Sequence, residues 1–278
     1  MGYSTQGQSV TDSHSSRDFY NTIARYYDAE NEDVTADLQL YSDLADETGG
    51  PILDVGCGTG RVMLHLAMQG HRVHGIDTSS AMLERGRRKL KNRIDLEDLV
   101  TFYEGNALDF PLPAKYALIL IPYNGLMHFR TTADQHRLLR HLAGVLDDGG
   151  LLVVDLPNAG ETFATIDDGA VTLERSFIEA ESGHLVMQQS VSTLNRTEQL
   201  QYITWIYDEI GADSVVHRTV APLTLRYVFP TELDLLFQIS GLEQVERFGD
   251  YEQGPFEEGC ERLIVLARGR NTRGQDNQ

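Results

Sequence analysis

The sequence predicts an α/β protein: a doubly wound, mostly parallel sheet interrupted by an antiparallel β insertion. Three observations carry this. Between Ile52 and Asp155, short continuous apolar runs alternate with helical periods, as expected of parallel strands covered on both faces. A glycine cluster, Gly56-Cys57-Gly58-Thr59-Gly60, stands between the first of these runs and a helix. From Val171 to Phe229, strand-like runs follow one another with no helical period between them, which calls for antiparallel pairing.

Taken in order, Arg17 to Leu44 has helical character, with Leu38, Leu40, Tyr41, Leu44 and Ala45 near one face, and Gly49-Gly50-Pro51 stops it. Ile52 to Val55 is the first strand. Val62, Met63, Leu66 and Ala67 form the apolar face of a helix that ends at Gly70. Arg72 to Ile76 is the second strand, closed by Asp77, and Ser79 or Ser80 caps a helix through Met82, Leu83 and Leu90. Val100 to Tyr103 and Tyr116 to Ile121 are the third and fourth strands. Thr132 with Gln135 reads as a capping box for a helix carrying Leu138, Leu139, Leu142, Val145 and Leu146, with Gly149-Gly150 as its stop and Leu151 to Asp155 as the fifth strand. In the insertion, Val171, Leu173, Arg175 and Phe177 alternate with polar neighbours, as do Ile203, Trp205 and Tyr207, and Glu181-Ser182-Gly183 is one of the turns. After Pro230, Thr231 with Asp234 reads as the cap of a helix through Leu233, Leu236, Phe237 and Ile239, stopped by Gly241. Leu242 to Phe248 and Arg262 to Ala267 return as strands. The chain thus divides into a loose tail (1–16), a core (17–158 and 230–268), an insertion (159–229) and a second polar tail (269–278).

Composition narrows the partners. The chain has 278 residues, with 42 acidic against 23 basic side chains and a formal net charge of -19. Binding a polyanion needs clustered Lys and Arg, so nucleic acid is not the expected partner. The only lysines are Lys89, Lys91 and Lys115; the physical chemistry of the chain offers no reason for that bias. Cys57 and Cys260 form neither a metal-ligand spacing nor a disulfide framework, so no metal is expected and a reducing cytoplasm is. The longest apolar run, Tyr116 to Tyr123, falls far short of the roughly 18 residues of a membrane span, and Met1 to Ser16 has no apolar signal region. A soluble, cytoplasmic protein is the expectation.

The glycine turn lets a ligand approach the backbone and the helix N-terminus closely. A dinucleotide fingerprint wants glycines at i, i+2 and i+5, whereas here they fall at 56, 58 and 60. Asp54 stands just ahead of them, where a carboxylate repels phosphate and attracts ammonium. Asp77 ends the next strand, where a carboxylate accepts from ribose hydroxyls. A nucleoside with a cationic amino-acid arm and no phosphate matches both, and S-adenosylmethionine is that molecule. Tight packing of the turn is the alternative role for the glycines, and Cys57 reads as a small buried filler.

In these motifs the chain resembles the class I S-adenosylmethionine-dependent methyltransferases. Asp54 with Gly56, Gly58 and Gly60 resembles the family's first motif, and Asp77-Thr78-Ser79-Ser80-Ala81-Met82 its second. Glu104-Gly105-Asn106-Ala107 resembles the loop that edges the adenine ring, with Asn106 where Asp is usual. Gly149-Gly150 resembles the turn into the fifth strand. The resemblance implies a seven-stranded Rossmann-like sheet in the order 3-2-1-4-5-7-6 with the last strand antiparallel. It also implies Thr78, Met82, Asn106, Ala107 and Pro122 beside the cofactor, and a helix carrying Tyr20, Arg25 and Tyr27 folded over it, with Arg25 offered to the methionine carboxylate.

After the fourth strand, Pro122-Tyr123-Asn124-Gly125-Leu126-Met127-His128 lacks the base-methylation motif of nucleic-acid enzymes. It resembles the Asn-x-x-x-His arrangement of glycine, sarcosine and sugar-amine N-methyltransferases, whose insertions are also antiparallel. That implies a small-molecule acceptor, an amine ahead of a hydroxyl. His128 is the nearby side chain whose ordinary pKa suits proton removal, or else a partner for a loop carbonyl; Tyr123 and Asn124 are candidates to orient the acceptor. Arg175, Trp205, Tyr207 and Tyr227 are candidates for a substrate roof or a contact between two copies, or they fill sheet faces. A natural-product O-methyltransferase that uses His128 to deprotonate a hydroxyl, a nicotinamide-dependent oxidoreductase, and a binding or regulatory subunit that keeps the fold without turnover are the rival functions.

Overall fold

The computed structural model describes residues 15–163 and 169–270. Most of both expected tails, and residues 164–168 of the insertion, lie outside the described residues. Ser15 and Ser16 belong to the fold rather than to a tail. Ser15 closes a capping box with Asp18 at the start of α1 (Ser16–Glu30). The single helical segment expected up to Leu44 is two helices, α1 and α2 (Leu38–Thr48). They are separated where Asp37 turns inward to take the guanidinium of Arg61 with two bonds of 2.6 Å.

The sheet joins β1 (Ile52–Val55), β2 (Val73–Asp77), β3 (Val100–Glu104), β4 (Tyr116–Ile121) and β5 (Leu146–Pro157) with two later strands, β10 (Leu242–Phe248) and β11 (Arg262–Gly269). Its order is β10-β11-β5-β4-β1-β2-β3, with β11 antiparallel to both neighbours. Among core strands alone this is the expected 3-2-1-4-5-7-6 order. Because successive strand residues face opposite ways, Leu53 of β1 packs into one layer and Ile52 into the other. The helices α3 (Arg61–Met68), α4 (Ser80–Lys91) and α5 (Thr132–Val145) lie between successive strands. Next in the chain are α6 (Ala159–Thr162) and the insertion strands β6 (Val171–Ile178), β7 (Leu185–Asn195), β8 (Leu200–Ile210) and β9 (Val216–Arg226), paired in that order. Finally α7 (Pro230–Ile239) returns the chain to the core.

Three local expectations are corrected. The cap of α5 is Thr131, whose hydroxyl accepts from the Asp134 N–H, one residue before the expected Thr132. Gly149 does not stop α5; it sits at positive φ within β5, where the pairing with β4 slips between Tyr116 and Leu118. The N-cap of α7 is Phe229 with Pro230 as first helical residue, and Asp234 is paired with Arg247 instead of closing a cap with Thr231. Among the described residues, no helix is long and apolar enough to cross a membrane.

Candidate active site

A cavity of about 970 Å³ opens at the carboxyl ends of β1, β2 and β4, between α1 and the inner face of the insertion sheet. Ligands of open α/β sheets gather in this position. Its floor is the glycine turn. Gly56 (φ 78°) and Gly58 (φ 54°) line the cavity in the left-handed region that favours glycine, and a Cβ at Gly56 would meet nothing within 4 Å. Gly60 (φ 84°) is different: it is the N-cap of α3 and does not line the cavity, and a Cβ there would stand 3.1 Å from Phe102. Its expected cofactor role is therefore replaced by one in packing. Cys57 is buried, and burial lifts its thiol well above the ordinary range, as suits a filler.

Asp54 is 1% exposed, and its Oδ1 finds no hydrogen-bond partner among the described residues. Burial pushes its carboxyl up to about 7. Asp77 is tied down: it accepts from the Gly58 N–H (2.9 Å) and the Ser79 N–H (2.8 Å), which fixes the turn and the start of α4 together. Burial raises its pKa in spite of those bonds. Thr78, Met82, Ala107 and Pro122 all line the cavity. Asn106 lines it too, with its side-chain oxygen already accepting from the Leu108 N–H at 3.0 Å.

One stripe of α1 forms the lid. Ser16, Tyr20, Ile23, Tyr27 and Glu30, spaced three and four apart, line the cavity. The C-terminal turn of the helix is strapped on two sides. Asp28 accepts from Thr59 and Lys89 beside the glycine turn, and Glu30 accepts from Gln188 and Tyr207 of the insertion. Arg25 lies on the outer side of this helix, away from the cavity, because Glu179 and Glu209 of the insertion hold its guanidinium. Among the arginines that line the cavity, Arg61 is the one beside its floor: it follows the glycine turn, is clamped by Asp37, and lies 5.9 Å from the centre of the Tyr123 ring.

Tyr123 (φ 43°) and Asn124 (φ 68°) both hold left-handed backbone, which costs energy in residues with a Cβ. Buried Asp155 keeps them there. Its Oδ2 accepts from the Tyr123 N–H at 3.0 Å, and its backbone oxygen from the Asn124 N–H at 2.9 Å. Arg262 binds the same carboxylate and reaches the Asn124 Oδ1 at 3.0 Å, so the amide N–H groups of Asn124 are what remain for a ligand. His128 lies between Tyr20 Oη and Ser16 Oγ, each 3.1 Å from a ring nitrogen. Either tautomer satisfies both bonds. Burial lowers its pKa to about 4, so the imidazole is neutral at ordinary pH.

The four insertion candidates separate. Arg175 and Trp205 line the cavity; Tyr207 and Tyr227 do not. Tyr207 is covered by Tyr26, stacked at 4.9 Å, and Tyr227 stacks on Phe163 at 4.5 Å. Residues not anticipated from the sequence are Ser16, Glu30, Arg61 and Gln188. Arg61 had a local signal, its place next to the glycine turn. Glu30 and Gln188 had none, because their importance arises only where α1 meets β7.

Residues 52–150 match the family model described as a methyltransferase domain. The chain is 33% identical over 149 residues to a demethylmenaquinone methyltransferase of Symbiobacterium thermophilum, covering 49% of this chain and 57% of that protein. The chain therefore spans little more than half the length of that relative. Its fold is that of the CcbJ methyltransferase from Streptomyces caelestis, with a TM-score of 0.78 at 24% identity, covering 91% of this chain and 98% of that one. It is also similar to SAM-bound CalS10, an amino pentose methyltransferase from Micromonospora echinaspora, with a TM-score of 0.65, 20% identity, and 87% and 96% covered.

Proposed function

With a methyltransferase domain over residues 52–150 and the class I fold around it, we propose that this protein transfers a methyl group from S-adenosylmethionine to the amine nitrogen of a small molecule. The observation that carries the proposal is Asp54: a buried carboxylate oxygen without a partner among the described residues, at a glycine turn with an open Cβ position, suits the ammonium of the cofactor's methionine arm. Asp77 keeps lone pairs for the ribose hydroxyls. Asn106 keeps one on its side-chain oxygen for the adenine amino group. Arg61 stands in the cavity for the carboxylate, the role the sequence suggested for Arg25. The bound cofactor supplies an already activated methyl group.

What remains for the chain is alignment and exclusion of water, which supply much of the rate in such a transfer. The strapped α1 closes the cavity, and the Asp155–Arg262 pair holds Tyr123 and Asn124 beside it. Nitrogen is favoured over oxygen by the state of His128. An imidazole with a pKa of about 4 and both nitrogens engaged is too weak a base to deprotonate a hydroxyl, whereas a free amine needs no base in the step. His128 then positions Tyr20, whose hydroxyl is the cavity-facing end of the chain Ser16–His128–Tyr20.

Calorimetry with S-adenosylhomocysteine and NADH, followed by transfer of a labelled methyl group to a panel of amines and alcohols, tests the proposal. Binding of the former with turnover of amines is expected. Tight NADH binding with no S-adenosylhomocysteine binding overturns it. Cofactor binding without turnover of any acceptor points instead to a regulatory subunit.

A further inference from the structure

The roof of the cavity carries two more buried polar atoms without partners among the described residues, Gln188 Oε1 and Trp205 Nε1. Both residues line the cavity. They lie on one face of the insertion sheet: Gln188 is paired with Tyr207 and Trp205 with Ser190, which makes them diagonal neighbours on β7 and β8, roughly 7–8 Å apart. The orientation of the Gln188 amide is fixed. Its nitrogen donates to Glu30 Oε1 (2.6 Å) and to the Tyr207 hydroxyl (3.2 Å), while Tyr207 donates to Glu30 Oε2 (3.1 Å). Turning the amide over would set its oxygen against the Glu30 carboxylate. The free carbonyl oxygen is thus held in place by Glu30 and Tyr207, and Gln188 itself is only 1% exposed. Buried polar atoms are seldom left unpaired unless something else pairs them. Beside these two atoms the same wall is apolar, with Ile203, Leu223 and Leu225.

A fixed acceptor, a fixed donor and an apolar strip together suit a saturated carbon skeleton that carries hydroxyls. We propose that Gln188 and Trp205 are the specificity-determining residues for the methyl acceptor. In this assignment the acceptor is a hydroxylated aliphatic amine: one hydroxyl donates to Gln188 Oε1, a neighbouring oxygen accepts from Trp205 Nε1–H, and the carbon skeleton lies against Ile203 and Leu223. This rests on the methyltransferase reading of the same cavity, and it specifies which amines the roof prefers.

Trp205 is the chain's one tryptophan, so its emission reports on this wall alone. With S-adenosylhomocysteine bound to the full chain, trans-2-aminocyclohexanol and cyclohexylamine, which differ by one hydroxyl, are titrated while Trp205 fluorescence is followed. A saturable change is expected, at about tenfold lower concentration for the amino alcohol. Gln188→Met is expected to remove the preference while leaving S-adenosylhomocysteine affinity unchanged. Should that variant fold poorly, Trp205→Phe read by calorimetry is expected to remove it equally. Equal titration by the two amines, a silent Trp205, or a preference that survives both substitutions overturns the inference and leaves the methyltransferase reading intact. Failure to bind S-adenosylhomocysteine overturns both.

Discussion

The floor and the roof of the cavity are built by different means. The floor comes from one contiguous stretch, Asp54 to Arg61, plus Asp77 at the end of the adjacent strand. Its geometry is set by backbone: positive φ at the glycines and two N–H groups held by Asp77. The roof comes from residues scattered over β6 to β9 and from α1, far away in the chain. Its geometry is set by side-chain bonds such as Glu30 to Gln188. A backbone site tolerates change in its surroundings and fails when its few fixed groups are altered. A side-chain site fails by degrees, as each supporting bond is lost.

The largest effect is expected at Asp77. Asp77→Ala removes the acceptor that anchors the Gly58 and Ser79 N–H groups of the turn, along with the proposed ribose contacts; at about 3 kcal/mol for such a loss, cofactor affinity measured by calorimetry should fall by about 100-fold. An unchanged affinity would remove Asp77 from the floor. Asp54 should show its hand through pH. Its carboxyl is pushed up to about 7, so the anionic form that attracts ammonium disappears as pH falls. Affinity at pH 6 is therefore expected to be about tenfold weaker than at pH 8. Asp54→Asn should flatten that dependence, and a wild-type affinity independent of pH would count against the ammonium contact.

A smaller effect belongs to the join between floor and roof. His128→Ala frees Ser16 and Tyr20, and losing about 1 kcal/mol of positioning should slow single-turnover transfer by about fivefold, with cofactor affinity retained. Because the imidazole is already neutral above about pH 4, the pH profile of the rate should follow the acceptor amine and keep its shape in the variant. A limb near pH 6.5 that disappears with His128 would make it a base instead. The smallest effect is expected for Arg25→Ala. Its half-exposed guanidinium braces α1 against Glu179 and Glu209, so thermal stability should drop by about 1 kcal/mol while cofactor affinity stays unchanged.

The contrast between floor and roof also explains what could be read in advance. The glycine turn and the acidic strand ends were legible because each depends on neighbours a few residues away, whereas the strand order came only from the family resemblance. Gly60 was misassigned for the same reason: position in the motif does not reveal that Phe102 fills the space beside it. Arg25 was misassigned because the carboxylates that hold it lie in the insertion. The alternation of Ile203, Trp205 and Tyr207 correctly placed all three on one face, yet only Ile203 and Trp205 reach the cavity. Tyr26 and Glu30 of α1 cover Tyr207.

By itself the sequence determined the parallel core, the antiparallel insertion and the place of the glycine turn with its acidic strand ends, since periodicity, glycine at positive φ and a carboxylate at a strand end are local properties of the chain. Tertiary structure alone decided which side chains face the cavity, that Asp54 Oδ1 has no hydrogen-bond partner among the described residues, and that burial lowers the pKa of His128. Burial and long-range hydrogen bonding set those, and neither is written in the spacing of residues.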